Sequence, residues 1–330
     1  MSTNFSCRAR GNLNPKRPFG RTGRRALTVL ELLVVFAIVG ILTSVLLVAV
    51  QRTREASRQV SCMSNLRQIA LASELHLDRQ RHFVSNGWGF NWGPDPQRGL
   101  GPDQPAGWIY QLAFDLDRPA TVFFAATNQH EQTHPYLTIV RCPSRPAPRF
   151  GPVTTVLRPV NYRWTGLAPK TDYAINEGDR VTGTGGGPAS VNVDQIAQYD
   201  WRRGPLATGI SSQRSRVTAA MVTDGLSHTY LVAEKHVLHS EYESAGDKGY
   251  DQSCWTGVDL DLNRWTNSMP LPDRRLGTGR QFGSAHPGIW HASFCDGSVR
   301  KMTFDINIEI HQAHGNRADS GFVLADPFGG

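Results

Sequence analysis

The sequence predicts an α+β fold, in which a long N-terminal helix packs on an antiparallel, β-rich globular domain. Three observations lead to this prediction. Residues 32–50 carry no charge, residues 51–81 contain no Gly or Pro, and the chain beyond Phe83 alternates Gly, Pro and Trp with short apolar stretches. The first two patterns favour one continuous helix, and the third is typical of short strands separated by turns.

The uncharged segment runs from Leu32 to Val50, and as a helix it spans about 29 Å, enough to cross the hydrocarbon of a bilayer once. It is followed by Gln51-Arg52-Thr53-Arg54 and not by the small-residue cleavage site of a secretory signal peptide. We therefore predict a retained membrane anchor.

The positive charge of the chain is concentrated before this anchor. Residues 1–26 contain no Asp or Glu, and without their Lys and Arg the chain has 28 basic against 28 acidic residues. A neutral body lacks the basic surface that drives nucleic-acid binding, which excludes that class of partner. The basic flank also predicts an N-terminus in the cytoplasm and residues 51–330 outside it.

Glu31 interrupts the apolar pattern directly before Leu32. A carboxylate beside hydrocarbon is costly, so one interpretation gives it a functional partner. The other places it at the headgroups, where the dipole of the helix start favours an anion.

After the anchor, apolar residues recur at spacings of three and four, which predicts that the helix continues and packs one face on the domain. The residues of this stripe are Val60, Met63, Leu66, Ile69, Ser73 and Leu77. Short strands are predicted at residues 138–140, 230–233 and 299–302, whereas the Gly- and Pro-rich residues 86–107 and 182–188 are predicted to be surface loops.

Beyond the leader, which holds Cys7, the chain has four cysteines: Cys62, Cys142, Cys254 and Cys295. In an oxidising compartment they allow two disulfides with three pairings, and buried free thiols are the alternative.

No catalytic constellation stands out, so we predict that the protein is not an enzyme and has no cofactor. His236 and His239 lie near Glu241, and His311 lies three residues before His314, but no HExxH occurs and solvated polar residues are the simpler interpretation.

Asp224-Gly225 and Asp296-Gly297 predict tight turns, with Asp bonding its own backbone and Gly supplying a positive φ. His286 is predicted to hydrogen-bond to such a turn. The alternative is a calcium site that uses Asp224 or Asp296.

Residues 24–35, Arg-Arg-Ala-Leu-Thr-Val-Leu-Glu-Leu-Leu-Val-Val, resemble the processing motif of type IV pilins and type II secretion pseudopilins. The resemblance implies a pilin-like fold, cleavage by a prepilin peptidase between Ala26 and Leu27, and methylation of the Leu27 amine. It also implies that Glu31, as the fifth mature residue, pairs with the N-terminus of another pilin or pseudopilin subunit during assembly. Ala26 is a departure, because the family usually has Gly there.

This resemblance divides the chain into a cleaved cytoplasmic leader (1–26), a transmembrane helix (27–50), the extramembrane part of the helix (51–82) and an extracytoplasmic β-rich domain (83–330). It implies a single-pass protein of the inner, cytoplasmic membrane, with the domain on the periplasmic side or in a surface fibre.

A second resemblance covers most of the domain, and its segments occur in order: residues 62–69, 108–112, 142–144, 172–176, 224–229 and 282–288. With nine residues between His286 and Asp296-Gly297, this is similar to the DUF1559 family and its prepilin-associated H-X9-DG motif. The resemblance implies a pseudopilin-like role in a type II secretion or type IV pilus-like system. It also implies a disulfide between Cys62 and Cys142, which leaves Cys254 to pair with Cys295.

An alternative function uses the same anchor as a permanent tether for an extracytoplasmic module that binds a ligand such as a glycan. Its candidate contacts are the aromatic side chains of Trp88, Trp92 and Trp108, if they are exposed.

Overall fold

The computed structural model describes residues 28–116, 136–154, 159–162, 166–201 and 206–319. The predicted cleavage position, Ala26 and Leu27, lies outside these residues. The chain divides into two compact units, Met1–Arg52 and Thr53–Gly330, and each is described by itself.

The long helix α1, Val29–Gln80, has 52 residues and begins with a capping box. The backbone N–H of Thr28 donates to Oε2 of Glu31 at 2.9 Å, and the N–H of Glu31 donates to Oγ1 of Thr28 at 3.3 Å. This reciprocal pair satisfies two amides that a helix start otherwise leaves without intrahelical partners. Glu31 therefore has a local role in starting α1.

In the first unit, the side chains of residues 32–50 are all exposed. The hydroxyls of Thr43 and Ser44 donate back to the carbonyls of Val39 and Ile41, both at 2.7 Å, so they are satisfied within the helix. α1 is long and apolar enough to cross a membrane, which is compatible with a single-pass anchor.

In the second unit, α1 packs one face against the domain, as predicted. The buried side chains of this face are Cys62, Leu66, Ile69, Ala70, Ala72, Ser73 and His76. The predicted stripe is wrong at Val60, which is exposed, because the buried face passes through Cys62 at that turn of the helix. Met63 and Leu77 are half-buried.

The other elements follow in chain order. The helices are α2 (Trp108–Ala113), α3 (Val193–Gln198) and α4 (Ile308–Gly315). The strands are β1 (Phe150–Pro152), β2 (Leu167–Pro169), β3 (Tyr173–Gly178), β4 (Tyr230–Glu234), β5 (Asn263–Trp265), β6 (Leu271–Pro272), β7 (Gly283–Ser284), β8 (Ile289–Phe294) and β9 (Val299–Thr303).

A five-stranded sheet forms the centre of the domain, in the order β5-β3-β4-β8-β9. Its pairs are antiparallel except for β3 with β5, which is parallel. The predicted α+β class is confirmed, as are the strands at residues 230–233 and 299–302. The strand predicted at Thr138–Val140 is wrong: this segment is a 3-10 turn, closed by the N–H of Arg141 on the carbonyl of Thr138 at 3.1 Å.

The two segments predicted to be surface loops pack on each other. About half of residues 86–107 are buried, whereas residues 182–187 are half-buried. A side chain at Gly89 would overlap the backbone of residues 185–187, so only glycine permits this approach. Trp88, Trp92 and Trp108 are at most 1% exposed, and their indole N–H groups donate to backbone carbonyls. These tryptophans are core residues, so the glycan-binding alternative loses the observation that motivated it.

A second hydrophobic cluster lies around Tyr230, Phe282, Trp290 and Phe294. His311 of α4 packs against it, 5.6 Å from the ring of Trp290, and burial lowers the pKa of His311 to about 3. His236 is buried too. The interpretation of these two histidines as solvated polar residues is therefore wrong.

Candidate functional site

Four buried side chains with metal-ligand or nucleophilic chemistry meet where α1 contacts the sheet. They are Cys62 of α1, Cys142 in the turn after the 3-10 segment, Glu234 at the end of β4, and His286 two residues after β7. One donor atom from each lies within 4.8 Å of all the others. We call this group the Cys-His-Glu cluster.

The cluster is centred on Nε2 of His286. This nitrogen lies 3.3 Å from Sγ of Cys62, 3.5 Å from Sγ of Cys142 and 3.0 Å from Oε1 of Glu234. The two sulfurs are 3.0 Å apart. Every donor of the cluster therefore faces the others across one small volume.

Two residues outside the cluster, Glu55 and His291, fix the imidazole and its carboxylate partner. Nδ1 of His286 lies 2.5 Å from Oε1 of Glu55, which is about two helical turns before Cys62 on α1. Oε2 of Glu234 accepts from the backbone N–H of His291 at 2.8 Å and lies 3.0 Å from its Nδ1. Thus the two ring nitrogens of His286 and the two oxygens of Glu234 all have protein partners.

The turn that carries Cys142 is held by a buried ionic network. Its amide donates to Oδ2 of Asp172 at 2.7 Å, and Arg145 bonds Oδ1 of Asp172 at 2.7 Å and Oδ2 of Asp273 at 2.8 Å. The side chain of Ser144 reaches Glu55 at 3.0 Å. The segment from Cys142 to Arg145 therefore positions the Cys142 thiol and also hydrogen-bonds Glu55, the carboxylate outside the cluster.

The segment between β7 and β8 places His286. Its amide donates to Oγ of Ser284 at 3.0 Å, and that hydroxyl donates to the carbonyl of Ile289 at 2.6 Å. The tight loop between Ser284 and Ile289 directs the imidazole inward, to below 1% side-chain exposure.

The electrostatics of the cluster favour an ion pair between His286 and Glu234. Burial alone would raise the pKa of Glu234, but hydrogen bonds with His286 and His291 lower it to about 2. Burial opposes a charged imidazole, yet hydrogen bonds to Cys142 and Glu234 raise the pKa of His286 to about 11. The positive ring lies directly beside two sulfurs.

The thiols of the cluster are protonated in this state. The hydrogen bond with Cys62, followed by burial, raises the pKa of Cys142 well above its ordinary value. For Cys62 the hydrogen bond with Cys142 acts in the opposite direction, but burial and the charge of Glu234 leave its pKa raised. The positive charge of His286 is paired with Glu234, so a further cation in the cluster is needed to hold either sulfur as thiolate.

All four cysteines predicted to form disulfides are free thiols in the structure. The 3.0 Å between Cys62 and Cys142 exceeds the ~2.05 Å of a disulfide bond, although the two sulfurs are neighbours, as the family resemblance implies. Cys254 and Cys295 belong to one hydrophobic cluster, where burial raises the pKa of each. Both disulfides stay predictions.

The DG part of the family motif is the tight turn between β8 and β9. Gly297 has a φ of 78°, and the side chain of Asp296 accepts from the N–H of Ser298 at 2.9 Å, as predicted. The prediction that His286 fixes such a turn is wrong, since its ring bonds Glu55 and Glu234. The two halves of the motif have separate roles.

The side chain of Asp224, the other calcium candidate, also accepts a hydrogen bond from a backbone amide. Its Oδ2 accepts from the N–H of Asp319 at 2.7 Å, next to Gly225 with a φ of 97°. In this structure, the side chains of Asp224 and Asp296 therefore both accept hydrogen bonds from backbone amides.

Sequence reasoning found three members of the cluster, Cys62, Cys142 and His286, but it did not join the histidine to the cysteines. It missed Glu234 and Glu55. The available signal for Glu234 was a carboxylate directly after the apolar run 230–233, a position buried by its neighbours in the sheet. The role of Glu55 could not be predicted from the sequence, because it is one of many polar residues on α1.

A family model, SBP_bac_10, described as a protein of unknown function (DUF1559), matches residues 51–309. No curated protein and no solved structure matches the chain.

Proposed function

The chain belongs to the DUF1559 family, since the match covers most of its length, and we propose that it is a pilin-like structural subunit anchored in the membrane by α1. In this proposal the protein is structural and not catalytic. It is processed by a prepilin peptidase and joins other subunits of a type II secretion or type IV pilus-like assembly through its N-terminal helix.

One observation carries the proposal: the uncharged, fully exposed segment of α1 that follows Glu31. Residues 32–50 present large apolar side chains on every face of the helix, and contiguous apolar surface of this extent is typical of contact with lipid or other helices. A bilayer supplies the first environment, and neighbouring copies of the same helix in a fibre supply the second.

Glu31 supports the proposal by its geometry. Both of its hydrogen bonds with Thr28, from the amide and from the hydroxyl, use Oε2. An ionised carboxylate has about four acceptor positions on two oxygens, so the capping box leaves capacity for a further donor. We propose that this donor is the free, methylated amine of Leu27 of a neighbouring subunit.

The first test is the N-terminus of the protein made in a host with a prepilin peptidase. Intact mass and N-terminal sequencing are expected to show a mature chain that begins with a methylated Leu27. The same chain made without the peptidase serves as the control and is expected to retain residues 1–26. Retention of the leader in both hosts would refute processing.

The second test separates the two roles of Glu31. Glu31→Gln retains an N3 side chain able to complete the capping box but removes the charge, whereas Glu31→Ala removes both. We expect both variants to enter the membrane and both to lose incorporation into assemblies, by tenfold or more in cross-linking of adjacent subunits. If Glu31→Gln assembles like the wild type, the carboxylate only caps the helix and the pairing proposal fails.

A further inference from the structure

We propose that the Cys-His-Glu cluster binds one Zn²⁺ ion, with Sγ of Cys62, Sγ of Cys142, Nε2 of His286 and Oε1 of Glu234 as ligands. The ion would fasten α1, which supplies Cys62, to the turn and strands that supply the other three ligands. This inference concerns the domain and does not depend on processing or assembly of the N-terminal segment.

The donor set matches zinc chemistry. Two thiolates, one imidazole and one carboxylate are ligands that Zn²⁺ takes in four-coordinate protein sites, whereas calcium and magnesium select oxygen donors. The four ligands come from different parts of the chain, and they leave no position that an additional protein donor must fill.

The distances between the donors are close to those of a zinc tetrahedron. Bond lengths of ~2.3 Å to sulfur and ~2.0–2.2 Å to nitrogen and oxygen give edges of ~3.6 Å for N···S, ~3.4 Å for N···O and ~3.8 Å for S···S. The cluster has 3.3 and 3.5 Å for the two N···S edges, 3.0 Å for N···O and 3.0 Å for S···S. Among these four edges, the largest change that binding requires is a separation of the two sulfurs by about 0.8 Å, while the two edges from Oε1 of Glu234 to the sulfurs are within 4.8 Å.

The groups outside the cluster are placed as supports of metal ligands. A zinc-bound histidine commonly donates its other N–H to a carboxylate, and Nδ1 of His286 lies 2.5 Å from Glu55. The second oxygen of Glu234 accepts from the backbone and ring of His291, which leaves Oε1 directed at the cluster. Such contacts fix the direction in which each ligand atom points.

The proposal also specifies the charges of the bound state. Two buried thiolates and the Glu234 carboxylate bring three negative charges, which the protein interior tolerates only with a cation among them. When Zn²⁺ enters, each thiol loses its proton and His286 coordinates as neutral imidazole. Three protons leave and two positive charges enter, so the cluster changes from neutral to a net charge of −1.

A path to the cluster exists on the side of Cys142. A cavity of about 350 Å³ borders this residue and is lined by the side chains of Ser61, Asn65 and Arg141 among others. In this proposal, the cavity is the route by which a hydrated ion or a chelator approaches the Cys142 side of the cluster.

A disulfide between Cys62 and Cys142 is the competing state of the same sulfurs. It would use two of the four convergent side chains and would leave the placement of Glu234 and His286 without a role. The two states exclude each other, because a sulfur in a disulfide is not a thiolate ligand. An experiment that detects either the bound metal or the disulfide therefore distinguishes the two states.

The experiment uses the full chain purified in detergent without chelators. We expect one Zn²⁺ per chain by elemental mass spectrometry, and full alkylation of Cys62 and Cys142 only after denaturation with chelator. Co²⁺ titrated into the metal-free chain is expected to give the intense near-ultraviolet sulfur-to-cobalt charge-transfer band of a tetrahedral thiolate site.

The variants give a graded outcome. Cys142→Ser is expected to abolish stoichiometric metal and the charge-transfer band, while Cys254→Ser, which alters a buried thiol outside the cluster, is expected to retain both. Glu55→Gln, outside the ligand set, is expected to weaken Co²⁺ binding by about 10–100-fold.

Two results would overturn the proposal. One is wild-type protein without zinc whose acid-quenched, non-reduced peptides show Cys62 joined to Cys142. The other is a metal-free, reduced chain that fails to develop the cobalt band. Both measurements are made on the wild type, so they remain decisive even if the Cys142→Ser variant does not fold.

Discussion

Arg145→Met is expected to lower the free energy of unfolding of the second unit by about 3–5 kcal/mol, because it removes a buried cation that two buried carboxylates share. The Arg145 side chain is 1% exposed and bonds both Asp172 and Asp273, whose side chains are 0% and 2% exposed. Burial would raise the pKa of Asp172, but the guanidinium groups of Arg141 and Arg145 hold it below its usual value. Met fills the space of the Arg stem but carries no charge.

The measurement is denaturant unfolding of the full chain in detergent, followed by tryptophan fluorescence. Every tryptophan of the sequence lies beyond residue 53, so the signal reports the second unit alone. Asp78→Asn is the control, because it breaks an ion pair with Arg81 in which both side chains are 82% exposed, and it should change stability by less than about 0.5 kcal/mol. Similar effects of the two substitutions would show that the buried network does not stabilise the fold.

Gly283→Ala is expected to destabilise the same unit by about 2–5 kcal/mol through steric overlap and backbone strain. A Cβ at this position would overlap the carbonyl oxygen of Leu271, its partner in the parallel pair of β6 and β7, and would approach Cβ of His236 to 3.0 Å. The backbone of Leu271 on one side and the buried side chain of His236 on the other leave little room for relaxation. The strand would have to move, and His286 lies only three residues further along.

Gly288→Ala is the matched control within the same segment. Gly288 has a φ of 78°, but a Cβ there meets nothing within 4 Å, so the cost is the conformational penalty alone, about 1–2 kcal/mol. Comparing the two unfolding curves separates close packing from backbone conformation. Equal losses of stability for both glycines would mean that the contact with Leu271 is not limiting.

The sequence predicted those parts of the fold that depend on local pattern. The absence of Gly and Pro between residues 51 and 81 was sufficient for α1, and Asp296-Gly297 was sufficient for the β8–β9 turn. The burial of Trp88 and Trp92 was not predictable in this way. Their segment has the composition of a surface loop, and it is buried only because a second Gly-rich segment, distant along the chain, packs on it.

The candidate site shows the same division between local and distant information. Cys62 and Cys142 could be singled out by residue type, and His286 by its spacing from Asp296. Their convergence on Glu234 depends on the sheet order, in which β4 pairs with β8, and no local spacing encodes that pairing. Long-range register is therefore the information that the sequence alone did not yield.

The separation of these residues along the chain has a consequence for how the protein matures. His286 contacts Cys62 across 224 residues and Glu55 across 231, and its neighbouring strand β8 is inserted between β4 and β9. Synthesis delivers α1 first and this histidine near the end, and closing so large a loop is entropically costly and slow. The docking of α1 around Glu55 and Cys62 is therefore completed only when translation is nearly finished, and a chain truncated before residue 283 is expected to leave this part of α1 without its contact to His286.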